Sequence, residues 1–150
     1  MGSGKSTLSC AIAHQKGAVL LSEDEWLKAI YPEEIENFED YIKYSSRLKP
    51  LFKCYAQNML NAGVSVVMDF PANTVNQRTW FKEIYAEHNI LHKLIYLEVS
   101  DEQCLQQLKK RSKTNPERVR FDTEEVFRKV NSYFQPPSDD ECFNVEVVSG

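Results

Sequence analysis

The first residues of the chain have the types and the spacing of a phosphate-binding loop. Residues 2–7 read Gly-Ser-Gly-Lys-Ser-Thr and match the second half of the pattern G-x-x-x-x-G-K-[ST]. Glycines let backbone N–H groups curl around phosphate oxygens, and the following helix presents free N–H groups and the positive end of its dipole. In this pattern the lysine, Lys5, reaches the β- and γ-phosphates of ATP, and the hydroxyl of Ser6 binds Mg²⁺. The predicted nucleotide contacts are therefore Gly2, Ser3, Gly4, Lys5, Ser6 and Thr7.

The loop pattern begins upstream of Met1. With Gly4 as the second glycine of the pattern, the first glycine falls two residues before Met1. The strand that should precede the loop would lie upstream of that glycine. This register indicates either a fragment or a start assigned at an internal methionine. We expect a chain that lacks this strand to be poorly soluble or weakly active unless the upstream residues are restored.

A group of acidic residues follows the next apolar run. Residues 18–21 read Ala-Val-Leu-Leu, which is typical of a buried strand, and Ser22, Glu23, Asp24, Glu25 and Trp26 come directly after it. An acid at such a strand end can face the γ-phosphate and accept a proton from an acceptor hydroxyl. We predict that Asp24 is this catalytic base. The spacing alone leaves open that Asp24 merely caps the next helix.

A second acid ends the apolar run at residues 64–68. Asp69 follows Val-Val-Met, as the acid of a Walker B motif does, and would orient Mg²⁺ or its waters next to Ser6. The alternative is a turn or capping acid before Pro71. In the next helix, Arg78 has three possible positions: facing the phosphates, facing the acceptor, or on the surface.

A basic segment lies farther along the chain. Residues 109–120 carry six basic residues and one acidic residue. Charge on a transferred phosphoryl group must be neutralised, and arginines on a closing lid do this well. We predict a lid at about residues 109–121, with Arg111, Arg118 and Arg120 as its catalytic candidates. A basic run is also typical of a solvated surface.

The elements that must position these residues alternate along the chain. Periodicity, caps and apolar runs predict helices at residues 5–16, 24–30, 33–62 with a break near Pro50, 76–88, 100–111 and from Thr123 onward. Strands are predicted at 18–21, 64–68, 94–97 and 143–148, and a loop at 112–121. Such an alternation indicates an α/β fold, with a parallel sheet covered by helices on both faces. Active sites in these folds lie at the carboxyl ends of the strands.

Composition narrows the class of protein. The 150 residues fit one domain, with 42% hydrophobic and 27% charged residues and a net charge of −4. That charge argues against a protein that coats nucleic acid. The sequence has no apolar run of the ~18 residues that span a bilayer, and no signal peptide. We therefore expect a cytoplasmic protein with no membrane contact and no obligate protein partner.

Taken together, these motifs resemble a known group of enzymes. Four parts of the sequence carry the resemblance: GSGKST, Leu-Ser-x-Asp-Glu-Trp around Asp24, Val-Val-Met-Asp-Phe-Pro-Ala-Asn-Thr around Asp69, and the basic lid. They are similar to the corresponding parts of small P-loop kinases of the AAA-domain, zeta-toxin-like group. This group includes relatives of chloramphenicol phosphotransferase and polynucleotide kinase. The tail from Phe121 to Val145 also resembles ATP-binding members of the group, so the likeness covers nearly the whole chain.

The resemblance implies a P-loop NTPase domain over residues 1–150. It would be a three-layer αβα sandwich around a five-stranded parallel sheet, here without its first, central strand. It also implies ATP and Mg²⁺ as cofactors and transfer of the γ-phosphate to a hydroxyl. The acceptor is an unknown small molecule or nucleic acid. Residues 23–40 carry eight acidic residues and one lysine, which favours a cationic or neutral small molecule over a polynucleotide. The alternatives are a nucleotide-binding module that acts by protein contact, and an ATPase switch without an acceptor.

Overall fold

The computed structural model describes residues 1–86, 90–119 and 121–149. Helices and strands alternate along these residues, as the sequence predicts. In chain order they are α1 (Lys5–Lys16), β1 (Val19–Ser22), α2 (Glu23–Ile30), α3 (Phe38–Asn61), β2 (Val66–Asp69), α4 (Val75–Tyr85), β3 (Leu94–Glu98), α5 (Asp101–Thr114), α6 (Glu124–Asn131) and β4 (Val145–Ser149). Short 3₁₀ turns lie at Pro116–Arg118 and Asp139–Glu141.

All of the strand pairing among the described residues is parallel. β1 pairs with β2 in a register that sets Val19 opposite Val66 and Ser22 opposite Asp69. β3 pairs with β4 from Leu94 opposite Val145 onward. The predicted α/β class with parallel strands is therefore confirmed. The resemblance implies five strands, and the described residues form four.

The chain divides into two compact units. Unit A consists of Met1–Lys5, Ala72–Lys82 and Leu91–Gly150, and unit B consists of Ser6–Pro71 and Glu83–Ile90. Unit A therefore contains the glycines of the loop, β3, β4 and the basic segment. Unit B contains β1 with the acidic residues that follow it, and β2 with Asp69 at its end.

The core of unit B forms around the inner face of α3. Leu48, Phe52 and Ala56 recur at intervals of four residues and are all buried. The ring of Phe52 lies 4.7 Å from the ring of Trp26 and 4.6 Å from that of Phe70, the latter pair edge to face. Helix α3 is thereby fixed against the start of α2 and the end of β2, where the candidate acidic residues lie.

Two predicted features of α3 are wrong. The helix begins at Phe38 rather than at residue 33, because the side chain of Asn37 accepts hydrogen bonds from the backbone N–H groups of Glu39 and Asp40 and caps it there. It also continues through Pro50 without a break. Pro50 lies on the exposed side of the helix, and the burial of Leu48 and Phe52 around it outweighs the missing backbone hydrogen bond.

The core of unit A lies between α5 and α6. Cys104, Leu108 and Phe127 are buried, and Met1, Val99 and Leu105 pack against them. Ser100 and Gln103 form the predicted capping box at the start of α5. The helix runs to Thr114, beyond the predicted end at residue 111, and a 3₁₀ turn follows at Pro116–Arg118. Much of the segment predicted as a loop at residues 112–121 is therefore helical.

The packing of α3 leads to a first prediction. Phe52 is 0% exposed, whereas its neighbour Leu51 is 50% exposed. We expect Phe52→Ala to lower the free energy of unfolding by about 3–5 kcal/mol, because it leaves a cavity between the rings of Trp26 and Phe70. The matched control Leu51→Ala should change it by about 0.5 kcal/mol or less. Urea denaturation followed by circular dichroism measures both, and equal losses would contradict the assigned inner face of α3.

Candidate functional site

The glycines of the phosphate-binding loop have backbone conformations that suit a tight turn. Gly2 has φ +69° and Gly4 has φ +85°, in the left-handed region that other residues rarely adopt. A Cβ atom on Gly2 would lie 2.6 Å from the carbonyl oxygen of Cys104 and 2.9 Å from Cγ of Leu108. The loop is thus packed directly on α5, and a side chain at Gly2 would displace it.

The residues after the glycines form the first turn of α1. This helix begins at Lys5, and its first turn contains Ser6 and Thr7 and no acidic residue. The N–H groups of a first helical turn have no partners within the helix, and the helix dipole is positive there. Because no carboxylate side chain lies in this turn to compete for these groups, the segment fits the binding of phosphate.

The register of β1 and β2 sets the positions of the polar residues at their carboxyl ends. Ser22 and Asp69 are the last residues of their strands, lie opposite each other and are both buried. Asp69 therefore ends a strand, and its role next to Mg²⁺, rather than as a turn or capping acid before Pro71, stays a prediction. Its carboxylate and the hydroxyl of Ser6 are oxygen ligands of the kind that Mg²⁺ prefers.

No set of three or more His, Cys, Asp or Glu side chains in the described part of the chain is arranged to hold a metal ion. Bound Mg²⁺ usually keeps several waters and takes further oxygen ligands from substrate phosphates. The few oxygen ligands offered by Ser6 and Asp69 fit that kind of coordination.

The three acidic residues after β1 differ in their surroundings. Ser22 is the residue that precedes α2, so Asp24 lies within the first turn and does not cap the helix. Asp24 and Glu25 are exposed. Glu23 is only 1% exposed, and its carboxylate accepts hydrogen bonds of 2.6 Å from Tyr41 Oη and 2.6 Å from Ser45 Oγ. Of the two acids nearest the strand end, Asp24 is the one that a solute can reach.

The phenol of Tyr41 donates to the buried carboxylate of Glu23. Burial, followed by the negative charges of Asp24 and Glu23 and by hydrogen bonds to both carboxylates, raises the pKa of Tyr41 well above its ordinary value of 10.0. The phenol therefore stays protonated at neutral pH and acts as a hydrogen-bond donor. Sequence reasoning missed this residue, because it lies 18 positions from Glu23 with no motif to connect the two.

The arginines of the basic segment meet at one carboxylate. Arg111 Nε donates to Asp122 Oδ2 at 2.7 Å, and Arg111 Nη2 donates to Oδ1 of the same residue. Arg118 Nε lies 3.6 Å from Asp122 Oδ2, and the side chain of Asp122 is fully buried. Arg120 lies outside the described residues. Asp122 thus joins two of the three predicted arginines, a role that the sequence did not indicate.

Arg111 also shares a helical face with residues that contact the loop. Cys104 and Leu108 approach Gly2, and the side chain of Gln107 lies 3.6 Å from the Cβ position of Gly4. Positions 104, 107, 108 and 111 lie three or four residues apart, so they form one stripe along α5. This stripe directs Arg111 toward the side of α5 on which the loop is packed.

The structure places Arg78 in none of the predicted positions. Its side chain is 0% exposed, and its Nε and Nη2 donate to the two carboxylate oxygens of Glu141 at 2.7 and 2.8 Å. Its Nη1 donates to the carbonyl oxygens of Ala72 and Gln135. Arg78 therefore ties the start of α4 to the segment that precedes β4. In the sequence, Ser138 and Glu141 have the spacing of a capping box, which is a local signal for an ordered carboxylate at Glu141. The predictions from sequence did not include it.

The buried ion pair leads to a second prediction. We expect Arg78→Ala to lower the free energy of unfolding by about 3–5 kcal/mol, because it leaves the carboxylate of Glu141 buried without its partner. Thr79→Ala, at the exposed neighbouring position, is the control and should change the free energy of unfolding only slightly. Chemical denaturation measures both, and an Arg78→Ala protein as stable as the Thr79→Ala protein would contradict the anchoring role.

The same pair should make stability depend on pH. The hydrogen bond from Arg78 lowers the pKa of Glu141 below its ordinary value of 4.5. The stabilisation is therefore complete above 4.5 and is lost as the pH falls through the lower pKa of the folded state. The difference in unfolding free energy between wild type and Arg78→Ala should shrink from about pH 5 to about pH 3. A difference that stays constant over this range would exclude the contribution of Glu141.

Comparisons with known proteins agree with the loop and the parallel strands. A search of curated proteins finds no match. No helix within the described ranges is long and apolar enough to cross a membrane. A family model described as an AAA domain matches residues 1–137, which is most of the chain. The chain therefore belongs to the AAA domain family, whose members are P-loop nucleotide-binding domains.

Proposed function

We propose that this protein is an ATP-dependent phosphotransferase that moves the γ-phosphate of ATP to a hydroxyl group of an acceptor. The observation that carries the proposal is the exposed carboxylate of Asp24, two residues after the end of β1, in a family of P-loop domains. A P-loop alone suits both hydrolysis and transfer. An accessible acid at the carboxyl end of a parallel strand is the additional group that transfer to an alcohol requires.

The loop, Lys5 and Asp24 each have one role in the proposed reaction. The backbone of Gly2–Ser6 and the ammonium of Lys5 bind the phosphates of ATP. The acceptor oxygen forms a bond to the γ-phosphorus, and the bond from that phosphorus to the β–γ bridging oxygen breaks. Asp24 takes the proton of the acceptor hydroxyl, and ADP leaves with the bridging oxygen. The products are a phosphate monoester and ADP.

Ser6 and Asp69 are the residues proposed to hold Mg²⁺, directly or through water. When it is bound, Mg²⁺ offsets negative charge on the phosphate oxygens of ATP. Both residues belong to unit B, and Asp69 is kept in place by the pairing of β1 with β2.

The proposed role of the basic segment is to neutralise charge on the transferred group. In Arg111 the Nε and Nη2 atoms bind Asp122. The remaining N–H groups at Nη1 are those with which this side chain can meet a phosphate oxygen. Arg118, on the same carboxylate, is the second candidate. Arg120 stays a candidate from the sequence alone.

The acidic segment narrows the class of acceptor. Glu33, Glu34, Glu36 and Glu39 are all exposed, in the connection between α2 and α3 and in the first turn of α3. Such a surface repels the phosphates of a polynucleotide and attracts cations. A cationic or neutral small molecule with a hydroxyl group is therefore the acceptor that this surface favours.

Two substitutions separate ATP binding from transfer. We expect Lys5→Ala to remove the ATP-dependent rise in melting temperature, because the phosphates lose their cation. We expect Asp24→Asn to keep that rise but to lower the turnover number by about 10²–10⁴-fold, the contribution of a general base. Glu25→Gln, which changes the exposed acid next to Asp24, is the matched control and should keep both properties. Thermal shift with ATP and Mg²⁺ measures the first property, and transfer of labelled γ-phosphate to a pool of metabolites measures the second.

The outcomes distinguish the alternatives. Full transfer by Asp24→Asn would show that another group is the base. Hydrolysis of ATP that no hydroxyl compound in the pool increases would favour an ATPase switch. The absence of any ATP effect on the melting of the wild-type protein would favour a module that acts by protein contact.

A further inference from the structure

The buried carboxylate of Asp122 belongs to a segment whose backbone is fixed on both sides. The N–H of Asp122 donates to the carbonyl oxygen of Arg118 at 2.8 Å. The next residue, Thr123, caps α6 because its side chain accepts a hydrogen bond from the N–H of Val126. Helix α6 in turn packs on α5 through Phe127. The position of Asp122 is therefore set by the fold of unit A, independently of its side-chain contacts.

This carboxylate holds two arginines unequally. Arg111 donates to both of its oxygens, through Nε to Oδ2 at 2.7 Å and through Nη2 to Oδ1. A bidentate pair of this kind fixes the plane of the guanidinium as well as its position. Arg118 Nε lies 3.6 Å from Oδ2, which is longer than a hydrogen bond. Of the two arginines, Arg111 is the one whose orientation Asp122 determines.

The oriented guanidinium lies on the face of α5 that packs on the phosphate-binding loop. The Cβ position of Gly4 is 3.6 Å from the side chain of Gln107, and Arg111 comes one helical turn later on the same face. The side chain of Arg111 is partly exposed, whereas that of Asp122 is fully buried. Because the carboxylate occupies the edge that carries Nε and Nη2, an anion that reaches Arg111 meets the edge that carries Nη1.

We propose that Asp122 is a positioning residue, which holds Arg111 with its Nη1 edge toward the phosphate groups of ATP at the loop. The role toward ATP rests on the proposed function, whereas the pair of Arg111 with Asp122 does not. A buried pair that only stabilised unit A would need a positive charge at position 111. Positioning needs the planar fork of arginine, because lysine is a point charge that fixes no plane. The two roles therefore predict different properties for Arg111→Lys.

The test measures the dissociation constant for ATP with Mg²⁺ by isothermal titration calorimetry, which requires no turnover. We expect Arg111→Ala and Asp122→Asn each to raise this constant about tenfold, because a charge-assisted contact to phosphate is lost or misplaced. In a protein that already carries Arg111→Ala, Asp122→Asn should cause no further change, because it acts only through Arg111. Glu124→Gln, which breaks the exposed pair of Glu124 with Arg128 in the same unit, is the matched control and should keep the wild-type value.

Arg111→Lys tests the same role without changing the buried acid. It keeps a positive charge beside Asp122, so it remains informative even if Asp122→Asn does not fold. We expect it to raise the dissociation constant nearly as much as Arg111→Ala, and to lower the urea midpoint less. If Arg111→Lys binds ATP like the wild type, a charge alone is sufficient and the positioning role is wrong. Equal effects of Asp122→Asn with and without Arg111 would also overturn it, because its action would then not pass through Arg111.

Transfer of labelled γ-phosphate, measured on the same proteins, separates this inference from the proposed function. If the wild type transfers no phosphate but Asp122 and Arg111 remain coupled in ATP binding, the phosphotransferase is wrong and the positioning role holds. If the wild type transfers phosphate but the two substitutions act independently on ATP binding, the positioning role alone is wrong. A wild-type protein that does not bind ATP with Mg²⁺ would overturn both.

Discussion

The structure depends on a simple constraint, which is that a buried carboxylate must be paired with donors. Several acidic side chains in the described part of the chain are buried, and three of them, Glu23, Asp122 and Glu141, gather donors from other positions along the sequence. Glu23 binds Tyr41 and Ser45, Asp122 binds Arg111 and lies close to Arg118, and Glu141 binds Arg78. Removing one partner of a buried ion pair such as Arg78 with Glu141 costs about 3–5 kcal/mol, so this acid holds its partner firmly in place.

These acids fix the parts of the chain on which the proposed chemistry depends. In unit B, Glu23 joins the start of α2 to α3, and Asp24 is the next residue. In unit A, Asp122 joins the end of α5 to the 3₁₀ turn at Pro116–Arg118, and Glu141 joins α4 to the segment before β4. Apolar packing is non-directional, whereas a bidentate pair such as Arg111 with Asp122 sets both the position and the orientation of a side chain. The proposed site therefore relies on polar contacts for geometry and on residues such as Phe52 for stability.

Local patterns in the sequence predicted the elements and left their long-range partners unknown. The alternation of helices and strands, the capping box at Ser100 and the ends of the first two strands, each predicted one residue before its observed end, follow from residues within a short window. The start of α3 was missed because the Asn37 cap was not recognised, and the expected break at Pro50 ignored the burial of its neighbours. Tyr41 and Asp122 could not be found in this way, because their partners lie 18 and 11 positions away without any periodic signal. The fold thus followed from patterns, and the proposed assignment of Asp24 still depends on experiment.

Arg78 and Arg111 illustrate why residue type alone does not identify a phosphate ligand. Both are arginines that donate through Nε and Nη2 to one carboxylate. In Arg78 the Nη1 atom also donates to two backbone carbonyl oxygens, so every edge of this buried guanidinium has a protein partner. Arg111 is partly exposed, and it shares the stripe of α5 that contacts the loop. A guanidinium fixed along one edge and accessible along another is already oriented when a phosphate arrives, so less conformational entropy is lost on binding. The N–H groups at Nη1 therefore distinguish the two arginines. In Arg78 they bind backbone carbonyl oxygens, and in Arg111, which we assign to the lid, they are the groups proposed to bind phosphate.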